Sequence, residues 1–213
     1  MIVGGGLAGL ALAAALRRSP LSVALIEGRT PVFPVQLDSR IYAISPANAR
    51  FLDNIGIWNH LDAARLTAVT AMEIHGDQGG RLDFSAYRSG VAELAWIIES
   101  SAIHRELWET AKRQGNLTVL CPARPSAIEW PSQIPELVLD DGQRLSARLL
   151  VAADGADSWT RTTAGIQVDF SSYEQLGVVA NFATEQPHRH TAFQWFRPDG
   201  VLAWLPLPGN RVS

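Results

Sequence analysis

The feature that most constrains this chain lies at its beginning. Residues 1–16 read MIVGGGLAGLALAAAL and carry no charged side chain. Ile2 and Val3 form the tail of a short buried strand, and Gly4, Gly6 and Gly9 fall on the G-x-G-x-x-G spacing where that strand must turn into a helix. Each glycine has its own task. Gly4 permits the tight turn, Gly6 lets a pyrophosphate approach the backbone without a Cβ in the way, and Gly9 lets the helix pack close on the strand. The helix, from Leu7 to about Arg18, aims its unpaired N–H groups and roughly half a positive charge at those phosphates. A second apolar strand, Leu21 to Ile26, ends in Glu27, 18 residues after Gly9. That is near the spacing of about twenty at which a carboxylate meets the ribose hydroxyls of an adenine dinucleotide. The glycines alone are a weak signal; strand, glycines, helix, strand and acid in that order make a dinucleotide site the expected reading.

An uncharged run of this kind also suggests a signal peptide or membrane anchor, but the physics opposes both. A signal peptide carries positive charge before its apolar segment, whereas Arg17 and Arg18 follow it, and the run is shorter than the ~20 residues that span a bilayer. At 213 residues, 47% hydrophobic and 18% charged, the chain can bury a real core. A net charge of −3 argues against a nucleic-acid surface, so an adenine dinucleotide would be a cofactor. The single cysteine, Cys121, cannot form an internal disulfide, and with no export signal the cytoplasm is the expected compartment. Cys121 ends the apolar run Leu117–Leu120 and reads as a buried structural residue rather than a nucleophile. The five histidines have no paired Cys/His spacing, so no metal site is expected.

Along the chain, residues 31–38 form an irregular loop. Ser45 followed by Pro46 starts a helix that runs to about Ile55 and stops at Gly56. Arg40, just before it, is placed either to pair with cofactor phosphates or to pair with Asp38 at the surface. Ala71–His75 and Arg81–Phe84 alternate as two strands of a hairpin joined through Gly76–Gly80. Leu94–Ile98 is another strand, and Ser100 or Ser101 caps a helix of about thirteen residues ending near Gln114, with Ile103, Leu107 and Ala111 as its apolar stripe. His104, in its first turn, is either a capping or partly buried histidine or a ligand contact. Leu117–Leu120 is a buried strand. Ala127–Trp130, Glu136–Leu139 and Gln143–Leu145 make a meander turning at Asp140-Asp141-Gly142. Leu149–Ala153 is an unbroken apolar run of the kind found in the middle of a parallel sheet. It ends in Asp154-Gly155, either a ligand-facing carboxylate with flexible backbone or a plain turn. Beyond Ile166 strands are expected at Leu176–Ala183, Ala192–Phe196 and Val201–Leu207.

The glycine motif with Glu27, the segment Asp38-Ser39-Arg40-Ile41-Tyr42-Ala43-Ile44-Ser45, and Ala153-Asp154-Gly155-Ala156-Asp157-Ser158-Trp159-Thr160-Arg161 together resemble the flavoprotein aromatic hydroxylases, of which para-hydroxybenzoate hydroxylase is the type member. The segments from Ile98 to Trp108 and from Gly200 to Leu207 resemble the ubiquinone-biosynthesis hydroxylases within that group. The resemblance implies an α/β fold: a Rossmann-like FAD-binding domain with a parallel sheet and β-meander, interleaved with a β-rich substrate domain. The segments implied are 1–67 and 94–166 for FAD, with 68–93 and 167–213 for the substrate layer. It implies FAD held by Gly4, Gly6, Leu7, Ala8, Gly9, Glu27, Arg29, Arg40, His104, Arg105, Asp154 and Gly155, with Glu27 on the adenosine ribose, Arg40 on the pyrophosphate side, and Asp154 and Gly155 also serving the reducing nicotinamide. His104 stands where relatives often have Arg or Gln.

The activity implied is NAD(P)H- and O2-dependent hydroxylation of a polyprenylated phenol in ubiquinone biosynthesis, leaning towards ring carbon five. A multi-enzyme quinone-biosynthesis complex and peripheral contact with the inner membrane accompany that reading. No residue stands out as a general base. The alternatives are another flavoprotein of the same fold, such as an epoxidase, halogenase or reductase, and a non-catalytic module. The family continues beyond the point matching Ser213, so the chain is expected to be the N-terminal half of such an enzyme with its first strand clipped.

Overall fold

In chain order, β1 (Ile2–Val3) leads through the glycines into α1 (Leu7–Ala15) and β2 (Val23–Ile26). There follow β3 (Ile41–Ile44), α2 (Pro46–Asn54), two short 3-10 turns, β4 (Thr67–Val69), β5 (Ala71–His75), β6 (Arg81–Ser85) and β7 (Ala95–Glu99). Next come α3 (Ser100–Lys112), β8 (Leu117–Leu120), β9 (Pro125–Glu129), β10 (Glu136–Leu139), β11 (Arg144–Ser146), β12 (Val151–Ala152) and α4 (Trp159–Thr163). The chain ends with β13 (Phe182–Ala183), β14 (Thr191–Arg197), β15 (Gly200–Trp204), β16 (Pro206–Leu207) and β17 (Arg211–Val212). This is a computed structural model, and it describes residues 1–36, 38–131 and 133–213. By packing the chain divides into two units, Met1–Phe33 with His104–Gln175, and Pro34–Ile103 with Leu176–Ser213.

The first unit is built on a parallel sheet in the order β12-β1-β2-β8, with Ile2 opposite both Leu25 and Val151. Its central strands are apolar at every position because both faces are covered. α1 packs on β1 and β2, burying Leu10, Ala13 and Ala14. The antiparallel meander β9-β10-β11 brings Leu137 and Leu139 against Val3 and Ile26, with Ile128, Leu145 and Trp159 packed around them. Two expectations are corrected here. The run 149–153 lies at the sheet's edge rather than its middle, and Leu149 is 67% exposed. Hydrophobic continuity marks a strand, but neighbour number depends on topology, which the run itself does not encode. Cys121, expected to be buried, is only half-buried beyond the end of β8, its Sγ 3.9 Å from Thr30 Oγ1.

The second unit contains three sheets, β3-β7-β4, β15-β14-β5-β6 and β13-β17-β16. The expected hairpin is present, with Ala71 opposite Ser85 and His75 opposite Arg81. Ile41–Ile44, given no structure in the sequence reading, is a strand paired to β7. Val69, Ile97, Ala192 and Leu207 form the buried core. Ser45 caps α2 by accepting the N–H of Asn48, with Pro46 in the first turn, as expected. The strand expected over Leu176–Ala183 reduces to Phe182–Ala183; Leu176 is 94% exposed. Strand-forming composition needs a partner edge, and residues 176–181 have none among the described residues. By packing, residues 34–67 and 94–103 belong with this unit, because β3, β4 and β7 are one sheet.

Candidate functional site

The carboxyl ends of β1, β2 and β12 bring three loops of the first unit together. From β1 the chain proceeds outward to β2 and β8, then returns to the other side of β1 as β12. The strand order therefore reverses beside β1, and the crevice outside that point is where open α/β sheets receive ligands. A cleft of about 430 Å³ lies there, lined by Gly4, Glu27, Gly28, Arg29, Asp154 and Trp159 among others.

The three motif glycines separate into two kinds. Gly4 has φ +109°, and a Cβ on it would meet the carbonyl oxygen of Ala153 at 2.3 Å. A Cβ on Gly9 would lie 2.0 Å from the carbonyl oxygen of Gly4. Both are demanded by the protein's own packing. A Cβ on Gly6 would meet nothing within 4 Å, so the protein itself gives no reason for glycine there. Gly6 is also the N-cap of α1 and offers no side-chain cap to the turn Leu7-Ala8-Gly9 that follows; the N–H of Leu10 bonds the Gly6 carbonyl at 3.0 Å. An uncapped helix start beside an open glycine suits an anion, whose charge the helix dipole favours.

Glu27 and His104 both act on a residue the sequence reading passed over. The N–H of Gly5 donates to Glu27 Oε2 at 2.7 Å, and His104 Nε2 lies 2.7 Å from the Gly5 carbonyl oxygen, to which it donates. Gly5 is thus held at both its N–H and its C=O. Glu27 Oε1 also accepts the N–H of Arg29 at 2.9 Å. A carboxylate offers about four lone-pair sites, so two bonds leave acceptor capacity facing the cleft. His104 is partly buried, edge-on to Phe33 with ring centroids 5.3 Å apart, and Arg105 lies over the same ring at 5.6 Å.

Asp154 is equally engaged. Oδ1 accepts the hydroxyl of Ser158, and Oδ2 accepts the N–H of Thr160 at 2.9 Å. Ser158, buried, caps α4 by accepting the N–H of Arg161 at 2.9 Å. Burial pushes the Asp154 carboxyl up, but the bonds from Ser158 and from the Thr160 N–H outweigh it and hold the group below its ordinary value. Gly155 follows with φ +97°. Ser158 and Arg161 were visible in sequence as part of the motif, but their capping role was not; Ser followed three residues later by the N–H it caps is the signal that would have found it.

Arg40 belongs to the second unit. Asp38 Oδ1 accepts its backbone N–H at 3.0 Å, so the surface pairing considered from sequence is a main-chain contact rather than an ion pair. Its exposed side chain borders a cavity of about 590 Å³ that also includes Leu176, Phe182 and Trp204.

A sheet that gathers its carboxyl-end loops around an open helix start is how a Rossmann-type module receives a dinucleotide, and the first unit is of that class. The chain belongs to the FAD-binding-domain family, whose model matches residues 1–211. It is 35% identical over 217 residues to ubiquinone hydroxylase UbiL of Rhodospirillum rubrum, covering 100% of this chain and 50% of that protein. With the 3-demethoxyubiquinol 3-hydroxylase of Escherichia coli it shares 32% identity over 215 residues, covering 100% of this chain and 55% of that one. The chain therefore spans about half the length of these relatives. Among solved structures it resembles PqsL, a probable FAD-dependent monooxygenase from Pseudomonas aeruginosa, with a TM-score of 0.82, 22% identity, and coverage of 99% of this chain and 57% of that one. That likeness establishes the fold: mixed α/β with a parallel sheet, as in FAD-dependent monooxygenases.

Proposed function

We propose that this chain is the cofactor-holding part of a flavin-dependent monooxygenase that hydroxylates a polyprenylated phenol in ubiquinone biosynthesis, with NAD(P)H as reductant and O2 as co-substrate. The observation that carries the proposal is the pairing of the FAD-family match over residues 1–211 with two ubiquinone-pathway relatives aligned along the whole chain. The geometry supports it locally. The first-turn amides of Leu7, Ala8 and Gly9, approached past Gly6, receive the pyrophosphate, and Gly4 and Gly9 give the turn its shape. Glu27 takes the adenosine ribose on its remaining lone pairs, with Arg29 beside it. Arg40 supplies positive charge to the diphosphate. Asp154 and Gly155 line the cofactor's far side and serve the nicotinamide, with Asp154 kept ionised by its hydrogen bonds. His104 acts through Gly5, and Arg105 is the neighbouring contact.

When bound, FAD supplies the electron transfer and oxygen activation that no side chain here can provide. The protein's share is to bind, to orient the ring of the substrate and to exclude water. A lipid-tailed substrate puts the work at a membrane surface, with peripheral contact and association with other quinone-pathway enzymes; among the described residues no helix is long and apolar enough to cross a bilayer. Two measurements test the proposal. The purified chain should carry FAD near one equivalent by flavin absorbance; a colourless protein that added FAD does not stabilise rules out the cofactor role. Deleting the gene should deplete ubiquinone and accumulate a less hydroxylated precursor, and an unchanged quinone profile ends the pathway assignment.

A further inference from the structure

The opposite edge of the parallel sheet has no part in the cofactor cleft. Because β12, β1, β2 and β8 run in one direction, the turns that enter β2, β8 and β12 lie together at the amino edge. These turns, residues 16–22, 113–116 and 147–150, hold four arginines, Arg17, Arg18, Arg113 and Arg148, and no acidic residue. The whole chain carries −3, so the positive excess is local. Arg17, Arg18 and Arg113 line one cleft of about 320 Å³. Its frame is tied by other side chains: Asn116 Nδ2 donates to the carbonyls of Leu16 at 3.0 Å and Leu21 at 2.9 Å, and Gln114 Nε2 donates to that of Ala13 at 2.9 Å.

Several arginines elsewhere have carboxylate partners: Arg65 has the buried Glu99, Arg81 has Asp83 and Arg197 has Asp199. At this edge Arg18, Arg113 and Arg148 are exposed, and their guanidinium groups have no hydrogen bond or ion pair among the described residues. Two carboxylates near these turns are already matched, Glu109 to Lys112 at 2.7 Å and Glu136 to Arg144 at 2.9 Å. The helix dipole explains part of the pattern, since cations favour helix C-termini and Arg17, Arg18 and Arg113 follow α1 and α3. It does not explain Arg148, which follows a strand, nor the leucines among the arginines, Leu21 at 42% and Leu149 at 67% exposure. Guanidinium groups that attract phosphates, beside apolar side chains that gain by leaving water, suit the surface of an anionic bilayer. A nucleic acid would use the cations and give the leucines nothing.

We infer that the amino edge of the sheet is a docking surface for the headgroups of anionic membrane lipids. The peripheral contact proposed above followed from the substrate and named no surface; this one follows from charge and exposure and stands without the quinone reading. The test is co-sedimentation of the 213-residue chain with phosphatidylcholine vesicles containing about 30% phosphatidylglycerol. The parent should bind them, bind pure phosphatidylcholine about tenfold or more weakly, and lose affinity as salt rises. Arg18→Gln combined with Arg113→Gln should weaken binding about twentyfold, at about fivefold per cation. Leu149→Ser should weaken it about fivefold through lost insertion. The same charge change in the second unit, Arg50→Gln with Arg88→Gln, should stay within about twofold of the parent. Thermal midpoints should match the parent's, because every altered side chain is exposed.

No binding to the anionic vesicles, or equal losses in the two double variants, overturns the inference. So does tight binding to heparin with no effect of Leu149→Ser, which would make a soluble polyanion the partner. Should the Arg18 and Arg113 pair lower the midpoint, Arg148→Glu takes its place with a similar loss expected, and an unchanged affinity overturns the inference equally. Vesicle binding together with an unchanged quinone profile on gene deletion removes the proposed activity and leaves the surface; the converse result removes the surface alone.

Discussion

The cleft of the first unit and the cavity beside Arg40 in the second handle polar and apolar atoms in opposite ways. In the first, the residues that point to chemistry are tied to one another: Glu27 to Gly5 and Arg29, His104 to Gly5, Asp154 to Ser158 and Thr160. In the second, apolar side chains stand outward around the cavity beside Arg40, with Leu176 94%, Val178 88% and Phe182 61% exposed. One region is organised by directed bonds and close backbone contacts, where a single atom matters. Around its cavity the other is organised by shape and hydrophobic area, where single changes are diluted.

The sharpest way to break this contrast lies in the glycine motif. Gly9→Ala puts a Cβ against a backbone carbonyl that cannot move aside, and should cost roughly 3 kcal/mol or more of stability in urea unfolding. Gly6→Ala, with open space around it, should stay within about 0.5 kcal/mol of the parent yet lower FAD affinity more than about tenfold by blocking approach. Equal destabilisation by both would mean that the open side of Gly6 has been misread. A middle-sized effect is expected at Asp154. Its folded-state pKa lies below the ordinary 3.8, so the ionised group stabilises the fold above that value, and the stabilisation is lost as pH falls through the folded-state value. Asp154→Asn should therefore cost about 1 kcal/mol at neutral pH, the usual worth of a helix-start contact. It should also flatten the fall in stability from about pH 4 downward; an unchanged acid slope would remove Asp154 from the account. The smallest effect belongs to the second unit. Leu176→Ser should leave the thermal midpoint unmoved, equivalent to less than about 0.5 kcal/mol, and a larger loss would show that Leu176 packs against something in solution.

How much of this was legible in the sequence follows from how local each cause is. The order of strand, glycines, helix, strand and acid could be read because every signal lies within 27 residues of the start. The hairpin 71–85 could be read from alternation, and α2 from Ser45 and Pro46. Gly5 could not, because its importance comes from Glu27 and His104, 22 and 99 residues away. The Arg65–Glu99 pair is hidden in the same way, its two halves 34 residues apart in unremarkable surroundings. Asp38 beside Arg40 suggested an ion pair, yet the contact is to the backbone, a distinction that depends on the turn between them. The apolar runs at 149–153 and 176–183 marked hydrophobic chain correctly, but one is an edge strand and the other mostly unpaired, since pairing is decided by distant partners.

Gly5, held at both its N–H and its C=O, also bears on kinetics. A glycine loop whose central residue is held at its N–H by a strand-end carboxylate and at its C=O by a helix-borne imidazole has no closure left to perform when a ligand arrives. Association at the adenosine end should then appear as one phase whose rate rises in proportion to ligand concentration, without the slower, saturating step that marks a loop folding around its guest.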